Sequence, residues 1–393
     1  MSQKSVILAA CRTPIGKLMG SLSSLPAPEL GAICAHEAVR RADVEPAAID
    51  EVIIGNVLAA GVGQAPARQV ALKAGLPPTV AAVTVNKVCG SGLKAVMLAD
   101  QAIRAGDATV VLAGGIESMS QSPHFLPGSR AGQKFGDQKL VDSMIHDGLW
   151  CAFEKWQMGS AAEHIARKYG ITRADQDAFA AESHRRAATA TEAGRFAHEI
   201  VPVPLAGASA NESVRQDEGP RKDSSVEKLA KLKPAFEPTG TVTAGNASMI
   251  SDGAAAVVVA AEISLAATRT KPRARIVACA TAGVEPKELF IAPVPAIRRV
   301  LEKAKMQIAD IDLFEINEAF AAQMLACMRA LALDPARVNV HGGAIALGHP
   351  IGASGARVLV TLLHALEQTG REVGLASLCL GGGNAVAMII ERI

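Results

Sequence analysis

Short apolar runs rich in Val, Ile and Ala alternate along this chain with longer stretches in which apolar residues recur every three or four positions. The apolar residues of 91–104 and of 355–368 fall on one face of a helix, and Gly370 follows the second stretch where a helix would end. Residues 375–393 consist of two apolar runs around three glycines, which predicts a hairpin. Strands that alternate with helices predict an α/β fold with mixed, mainly parallel sheets.

One pattern occurs twice, which indicates an internal duplication. A helix end, a turn with Asp50 and an apolar strand are repeated in the same order around Asp312, 262 residues later. A second similarity relates two strands that run into glycines, with an offset of 267 residues when Gly114 is matched to Gly381.

The two similar halves do not fill the chain, and the surplus between them contains both tryptophans and several polar loops. We therefore expect an N-terminal half over residues 1–119 that is completed by residues at about 250–270. A C-terminal half is expected over 271–393, and residues 120–249 are expected to form an inserted loop domain.

Composition and charge narrow the function classes. Hydrophobic residues make up 49% of the 393 positions, and the net charge of +2 without a long basic run gives no indication of nucleic acid binding. No run of about 18 apolar residues occurs, so no membrane span is expected. The seven cysteines are scattered and form no Cys-x-x-Cys pair, which argues for a reducing, cytoplasmic location rather than a disulfide framework.

Cys89 stands between an apolar strand and the start of a predicted helix. The positive end of a helix favours the thiolate form of a cysteine, and Gly90 and Gly92 leave room for a substrate carbonyl to approach the sulfur. This segment alone leaves two interpretations open, a nucleophile and a small buried hydrophobic residue. A dinucleotide-binding loop fits less well, because Ala95 stands where that motif needs glycine.

The segment 341–357 contains five glycines within fourteen residues, which predicts a loop built for close backbone approach. His349 lies between a glycine and a proline, and a histidine in such a loop favours a functional role over a structural one. The other histidine of the segment, His341, is eight residues away with no carboxylate between them, so a metal site is not expected.

Two further segments are weak signals when they are taken singly. Cys379 precedes three glycines, Gly381 to Gly383, whose backbone N–H groups can bind an oxyanion. Asn317 stands at a strand-to-helix transition, where the ordinary role of asparagine is that of an N-cap or turn residue.

Together, and in their order along the chain, the four segments resemble those of the thiolase family. That family carries a V-C-G-S-G-like turn with a nucleophilic cysteine, an N-E-A-F-A block, a G-H-P-x-G-x-S-G-A-R block and a terminal C-x-G-G-G turn, and all four occur here. The match extends from residues 12–17 to the C-terminal hairpin. The resemblance implies thiolase-like duplicated half-domains packed back to back, an inserted loop domain, and acyl transfer to or from coenzyme A (CoA).

The resemblance also implies a role for each residue. Cys89 attacks an acyl-CoA thioester while His349 takes its proton, and an acyl-enzyme forms. Cys379 removes the α-proton of a second acyl-CoA, or protonates that carbon in the thiolytic direction. His349 and a water held by Asn317 form one oxyanion hole, and the backbone N–H groups of Cys89 and Gly381 form the other.

CoA is implied as a substrate and product that lies across the inserted domain, and no permanently bound cofactor is expected. Arg221 suits the adenine-nucleotide end because a guanidinium pairs with phosphate or stacks on a base, although a solvated surface charge is the open alternative. Ser248 and Phe320 are further expected contacts, and Leu149 and Met158 are expected along the pantetheine tunnel.

The family analogy further implies a homo-oligomer, with a tetramer built as a dimer of dimers through part of residues 121–147. Three positions depart from the family pattern: Gln157 replaces a common histidine, Phe290 replaces a usually small residue, and His341 replaces a common asparagine. Because none of them removes a catalytic group, they bear on acyl-chain length rather than on catalysis.

The favoured activity is that of a biosynthetic thiolase that makes acetoacetyl-CoA from two acetyl-CoA, because residues 12–30 most resemble that subfamily. A degradative or broad-range 3-ketoacyl-CoA thiolase is the alternative. Decarboxylating ketoacyl synthases share the fold but lack a counterpart of Cys379, and a non-catalytic lipid-binding relative would have lost a catalytic residue. Chain length, physiological direction, oligomeric state and a Cys89–Cys379 disulfide stay open.

Overall fold

One large sheet forms the centre of the molecule. The computed structural model describes residues 3–205, 212–267 and 271–393, and in these ranges ten strands form a single sheet while four short strands form two separate pairs. The strands are β1 (Ser5–Arg12), β2 (Gly16–Lys17), β3 (Glu51–Gly55), β4 (Ala81–Val85), β5 (Val110–Ser118), β6 (His124–Phe125), β7 (Val141–Asp142), β8 (Val203–Pro204), β9 (Ser213–Val214), β10 (Ser251–Ala261), β11 (Ala274–Gly283), β12 (Leu313–Ile316), β13 (Val373–Leu380) and β14 (Asn384–Arg392).

The large sheet has the order β12-β13-β14-β11-β1-β10-β5-β3-β4, with β2 beside β10. Pairing is parallel only near the two ends, between β12 and β13, β3 and β4, and β3 and β5. The strands between them pair antiparallel. The prediction of a mixed sheet is confirmed, whereas mainly parallel pairing holds only near the ends, because the tight turn at 381–383 folds β14 back beside β13.

The helices of the described ranges are α1 (Ala27–Ala42), α2 (Pro66–Lys73), α3 (Ser91–Ala105), α4 (Met158–Lys168), α5 (Arg173–Glu192), α6 (Val226–Leu229), α7 (Pro293–Ala304), α8 (Ala321–Leu331), α9 (Ala344–Leu347) and α10 (Ile351–Thr369).

Three layers of helices pack on the sheet. Helices α3 and α10 pack between its two halves, α1 and α2 cover the outer face of the N-terminal half, and α7 and α8 cover that of the C-terminal half. The predicted helices at 91–104 and 355–368 are both present, and Gly370 ends the second with a φ of 66°.

Helices α3 and α10 cross at very short range. A Cβ atom on Gly92 would lie 2.7 Å from the backbone nitrogen of Ala356, and one on Gly355 would lie 2.3 Å from that of Leu93. Real Cβ atoms do not approach backbone this closely, so both positions require glycine. The contact is reciprocal, and it relates the two helices by an offset of 263 residues.

The sheet contains the predicted repeat. The Asp50 carboxylate accepts hydrogen bonds from the backbone nitrogens of Thr109 and Val110 (2.6 and 3.0 Å), at the start of β5. The Asp312 carboxylate accepts the equivalent bonds from residues 372 and 373 (3.0 and 2.9 Å), at the start of β13. Val110 therefore corresponds to Val373, and the match of Gly114 to Gly381 is wrong, because this register aligns Gly114 with Ser377.

The segment between β5 and β10 carries the short strand pairs β6–β7 and β8–β9 and the helices α4, α5 and α6. Helices α4 and α5 pack on α8 and α9 of the C-terminal half. A buried ion-pair cluster ties the segment to β1, where the Arg12 guanidinium bonds Glu199 (2.6 Å) and Asp217 (2.6 and 2.9 Å). Among the described helices, none is long and apolar enough to cross a membrane.

The helix crossing yields a stability prediction. Gly355→Ala should lower the free energy of unfolding by about 1–3 kcal/mol, the usual cost of overpacking a dense core, because its Cβ would meet backbone that cannot yield. Thermal or denaturant unfolding measures the change. Gly283→Ala is the matched control, because the nearest atom to its Cβ is 3.8 Å away. Equal stability of the two variants would contradict the required close approach.

Candidate active site

One cavity of about 560 Å³ collects the predicted site residues from distant parts of the chain. Nine of the ten line it, and Asn317 lies just behind its wall, in contact with His349. The nine are Cys89, Leu149, Met158, Arg221, Ser248, Phe320, His349, Cys379 and Gly381.

Cys89 sits on a sharp turn between β4 and α3. Val88 has a φ of 47°, a left-handed conformation that is costly for a β-branched residue and typical of strained functional turns. Ser91 braces the turn, because its hydroxyl accepts the Lys87 backbone N–H (2.8 Å) and donates to the Val88 carbonyl (2.6 Å). Helix α3 starts at Ser91, so Cys89 lies two residues ahead of the helix, as predicted.

Cys89 is partly exposed to the cavity, and the protein around its sulfur sets its protonation state. Although the backbone N–H groups of Gly381 and of Cys89 itself favour the thiolate, desolvation outweighs them and, with a smaller contribution from the Glu117 charge, raises the pKa of the thiol to about 12. The helix terminus was expected to favour thiolate, and the structure shows that burial is the stronger effect. The resting sulfur is therefore a protonated thiol.

The second thiol, that of Cys379, is only 2% exposed and lies at the end of β13. It packs in an apolar cluster with Leu289, Phe290 and Phe320. Burial raises its pKa well above the usual range, and the nearby Cys89 and Cys327 thiols raise it further. Both cysteines thus face one cavity as neutral thiols.

His349 precedes α10 as Cys89 precedes α3. Its Nδ1 lies 2.6 Å from the Ser354 hydroxyl, which also lies 2.8 Å from the Pro350 carbonyl oxygen. A carbonyl can only accept, so both contacts are satisfied when Nδ1–H donates to Ser354 and Ser354 donates to Pro350. Burial, with the charge of Arg357, lowers the pKa of His349 to about 3. The ring is therefore neutral, with a lone pair on Nε2.

Asn317 follows β12, and its Nδ2 lies 3.4 Å from both ring nitrogens of His349. Its Oδ1 is buried and has no hydrogen-bond partner among the described residues. The next residue, Glu318, holds the loop that carries His349, because its carboxylate accepts bonds from Ser183 (2.7 Å), Asn339 (2.9 Å) and the Ile345 backbone (3.2 Å).

The predicted CoA contacts lie where the inserted segment meets the C-terminal half. The Ser248 backbone N–H donates to the Ala319 carbonyl (3.0 Å), which joins its loop to that of Phe320. The Phe320 ring stacks edge-on against Phe290, with ring centroids 5.2 Å apart. Arg221 is exposed, and its guanidinium forms no salt bridge with any residue that the structure describes.

Of the three departures from the family pattern, Gln157 and Phe290 line the cavity and His341 does not. His341 instead bonds Gln368 (3.1 Å) and packs edge-on against Phe196. In residues 3–205, 212–267 and 271–393, no group of three or more His, Cys, Asp or Glu side chains is arranged to hold a metal ion.

Sequence reasoning missed several residues that shape the site. Glu117, Ser354 and Glu318 are buried, and each fixes backbone or a side chain next to a reacting group. Ser354 and Glu318 lie inside two of the motifs that carry the family resemblance, so the sequence could have indicated that they belong to the site. No pattern in the sequence marks Glu117.

The cavity therefore offers two neutral thiols, a neutral imidazole and backbone donors to one bound molecule. One thiol can attack a carbonyl while the imidazole takes its proton, and the other can exchange a proton with carbon. Such a set is suited to acyl transfer with carbon–carbon bond formation or cleavage.

Comparison with known proteins agrees with this chemistry. Residues 5–263 match the family model described as "Thiolase, N-terminal domain", and residues 270–392 match "Thiolase, C-terminal domain". This chain belongs to the thiolase family of acyltransferases.

Known proteins resemble this chain over nearly its whole length. An acetyl-CoA acetyltransferase of Cupriavidus necator is 54% identical over 98% of this chain and 99% of its own length, and one of Pseudomonas aeruginosa is 54% identical over 99% and 100%. The crystal structure of the Bacillus anthracis acetyl-CoA acetyltransferase superposes with a TM-score of 0.98 at 44% identity, covering 100% of this chain and 99% of that one.

The hydrogen bonds of His349 yield a test. Ser354→Ala should slow acylation of the enzyme by roughly 10- to 100-fold, because Nδ1 of His349 would lose the partner that fixes the tautomer. This loss is a part of the rate enhancement that His349 supplies as a general base. Rapid-mixing measurement of acyl-enzyme formation reports the rate. Ser377→Ala is the control, since it removes an equally buried hydroxyl that bonds the Val386 carbonyl (2.8 Å). Equal rates in the two variants would rule out this role for Ser354.

Proposed function

We propose that this protein is an acetyl-CoA acetyltransferase that makes acetoacetyl-CoA and CoA from two acetyl-CoA, and that cleaves acetoacetyl-CoA in the reverse direction. The observation that carries the proposal is the presence of the Cys89 and Cys379 thiols and the neutral His349 ring in one cavity. The names of the full-length relatives support the two-carbon substrate.

In the first half-reaction, the Cys89 sulfur attacks the thioester carbonyl of acetyl-CoA while its proton passes to Nε2 of His349. The backbone N–H groups of Cys89 and Gly381 bind the oxyanion of the tetrahedral intermediate, and losing one such donor typically costs about 2.7–4 kcal/mol of transition-state stabilisation. The carbon–sulfur bond to CoA then breaks, and the leaving CoA thiolate takes the proton of the Cys379 thiol, which leaves Cys379 as a thiolate and His349 as an imidazolium.

In the second half-reaction, the Cys379 thiolate removes a proton from the methyl carbon of a second acetyl-CoA and becomes a thiol again. The Nε2–H of the protonated His349 and a water held by Asn317 donate to the enolate oxygen. The buried Oδ1 of Asn317, which has no partner among the described residues, suits a water. The carbanion attacks the acetylated Cys89, the carbon–sulfur bond breaks, and Cys89 leaves as the product forms. The departing Cys89 thiolate takes the proton held by His349, and Cys379 keeps the proton from the methyl carbon, so that all three groups return to their neutral resting forms.

CoA binds as a substrate and product, with Arg221 at the nucleotide end and Ser248 and Phe320 beside the tunnel. Leu149 and Met158 line the part of the cavity that we assign to the pantetheine arm of CoA. The guanidinium of Arg221, which forms no salt bridge with the described residues, supports this assignment because it is free to meet a phosphate.

We further propose a cytoplasmic homotetramer, built through part of residues 121–147 and active in fatty acid metabolism. Four large apolar side chains of that segment are exposed, namely Leu126, Phe135, Leu140 and Ile145, and such a concentration supports a contact surface for a partner. The halves are assigned to residues 1–119 with 250–270 and to 271–393, and residues 120–249 form the inserted domain. The assigned boundary at 270 lies outside the described residues.

Matched cysteine variants test the two roles. Cys89→Ala should retain no radiolabelled acetyl group after incubation with acetyl-CoA, because the nucleophile is gone. Cys379→Ser should acquire the label but condense at least about 100-fold more slowly, the lower range for a lost acid–base group. Label on the first variant, or unimpaired condensation by the second, would refute the assignment.

Chain length separates the proposal from its alternative, a degradative or broad-range thiolase. Phe290 is 2% exposed and closes the cavity beside Cys379, so thiolysis should favour acetoacetyl-CoA over substrates two carbons longer by about 10-fold or more in kcat/KM. Phe290→Ala should reduce this preference, and Phe290→Leu, which keeps the bulk, should preserve most of it. Equal wild-type activity on longer chains would favour the alternative.

A further inference from the structure

A carboxylate lies beneath the active site in a fully buried position. Glu117, in β5, is 0% exposed. Its Oε1 accepts hydrogen bonds from the Asn56 side chain (2.8 Å) and the Leu58 backbone (3.2 Å). Its Oε2 accepts from the backbone nitrogens of Gly352 (2.9 Å) and Val57 (3.2 Å).

This bonding pattern fits the ionised form of Glu117. All four neighbours donate and each oxygen accepts two bonds. Three of the four donors are backbone N–H groups, which cannot accept a hydrogen bond from a protonated carboxyl. Gly352 lies in the first turn of α10, where the helix dipole also favours a negative charge. Burial and the charge of Asp252 oppose this effect and push the pKa of Glu117 upward. The four donated hydrogen bonds keep the carboxylate ionised.

The same hydrogen bonds fix the surroundings of Cys89. Val57 and Leu58 follow β3, and Ile351 begins α10 beside Gly352. The side chains of Val57, Leu58 and Ile351 form one apolar cluster, and Cys89 packs against it. Glu117 thus joins the two chain segments that surround the nucleophile, and its negative charge disfavours a thiolate there.

We propose that Glu117 is a positioning residue for the acyl transfer proposed above: its ionised carboxylate fixes the backbone around Cys89, and its charge keeps the unacylated sulfur a protonated thiol. Between turnovers, a protonated thiol resists oxidants and alkylating agents, which react with thiolates. The acylated sulfur carries no charge, so Glu117 does not destabilise the acyl-enzyme itself.

The test is the pH dependence of Cys89 alkylation by iodoacetamide, followed by mass spectrometry of the Cys89 peptide. Removing a nearby negative charge favours the thiolate, so Glu117→Gln should move the midpoint of the rate–pH curve down by about one pH unit or more. Glu117→Asp keeps the charge and should leave the midpoint high, although the shorter side chain should slow acylation. An unmoved midpoint in a folded Glu117→Gln protein would show that Glu117 acts only through packing.

The wild-type enzyme provides a second test, which does not depend on whether Glu117→Gln folds. If Glu117 is ionised throughout, the rate of Cys89 alkylation rises steadily with pH from 6 to 10 without an inflection, because the thiol titrates above this range. An inflection within this range, caused by protonation of the Glu117 carboxylate, would overturn the proposal. Acetylation of wild-type Cys89 by acetyl-CoA is measured separately, so failure of the acyltransferase assignment is distinguishable from failure of this inference.

Discussion

The crossing of α3 and α10 through Gly92 and Gly355 is the constraint on which the site depends. Cys89 lies two residues ahead of α3, and His349 lies two residues ahead of α10. The crossing therefore sets how far apart the nucleophile and its base can be. A methyl group at either glycine would separate the helices and, with them, the two loops.

The duplicated halves contribute different groups to the same cavity. The offset of 263 residues that relates the helices and the strands β5 and β13 aligns Cys89 with Gly352 and Cys379 with Ile116. Each half thus carries a reacting thiol where the other carries a small or apolar residue. Gly352 leaves room for the Glu117 carboxylate, because a Cβ there would lie 2.8 Å from its Oε2. The two halves therefore share one architecture, but their sequences have diverged so that each half contributes a different thiol to the cavity.

Much of this could be predicted from the sequence. The glycine-rich segment around His349, the small residues around Cys89 and the final glycine turn each indicated backbone approach, and the family resemblance joined them into one site. Interactions between distant segments could not be predicted. The antiparallel centre of the sheet, the 263-residue register and the four donors to Glu117 depend on strand pairing. The φ of Val88 and the protonated state of Cys89 depend on burial, for which local sequence gives no measure.

The central claim is that the resting site holds its reacting groups uncharged, and that proton transfer from Cys89 to His349 accompanies acylation instead of preceding it. The most direct measurement is the ultraviolet absorbance of thiolate at neutral pH in wild-type protein, with Cys89→Ala as the reference. The two spectra should coincide, because the raised pKa of Cys89 leaves the sulfur protonated. One equivalent of thiolate that is present in the wild type and lost in Cys89→Ala would contradict the claim and indicate a preformed thiolate–imidazolium pair.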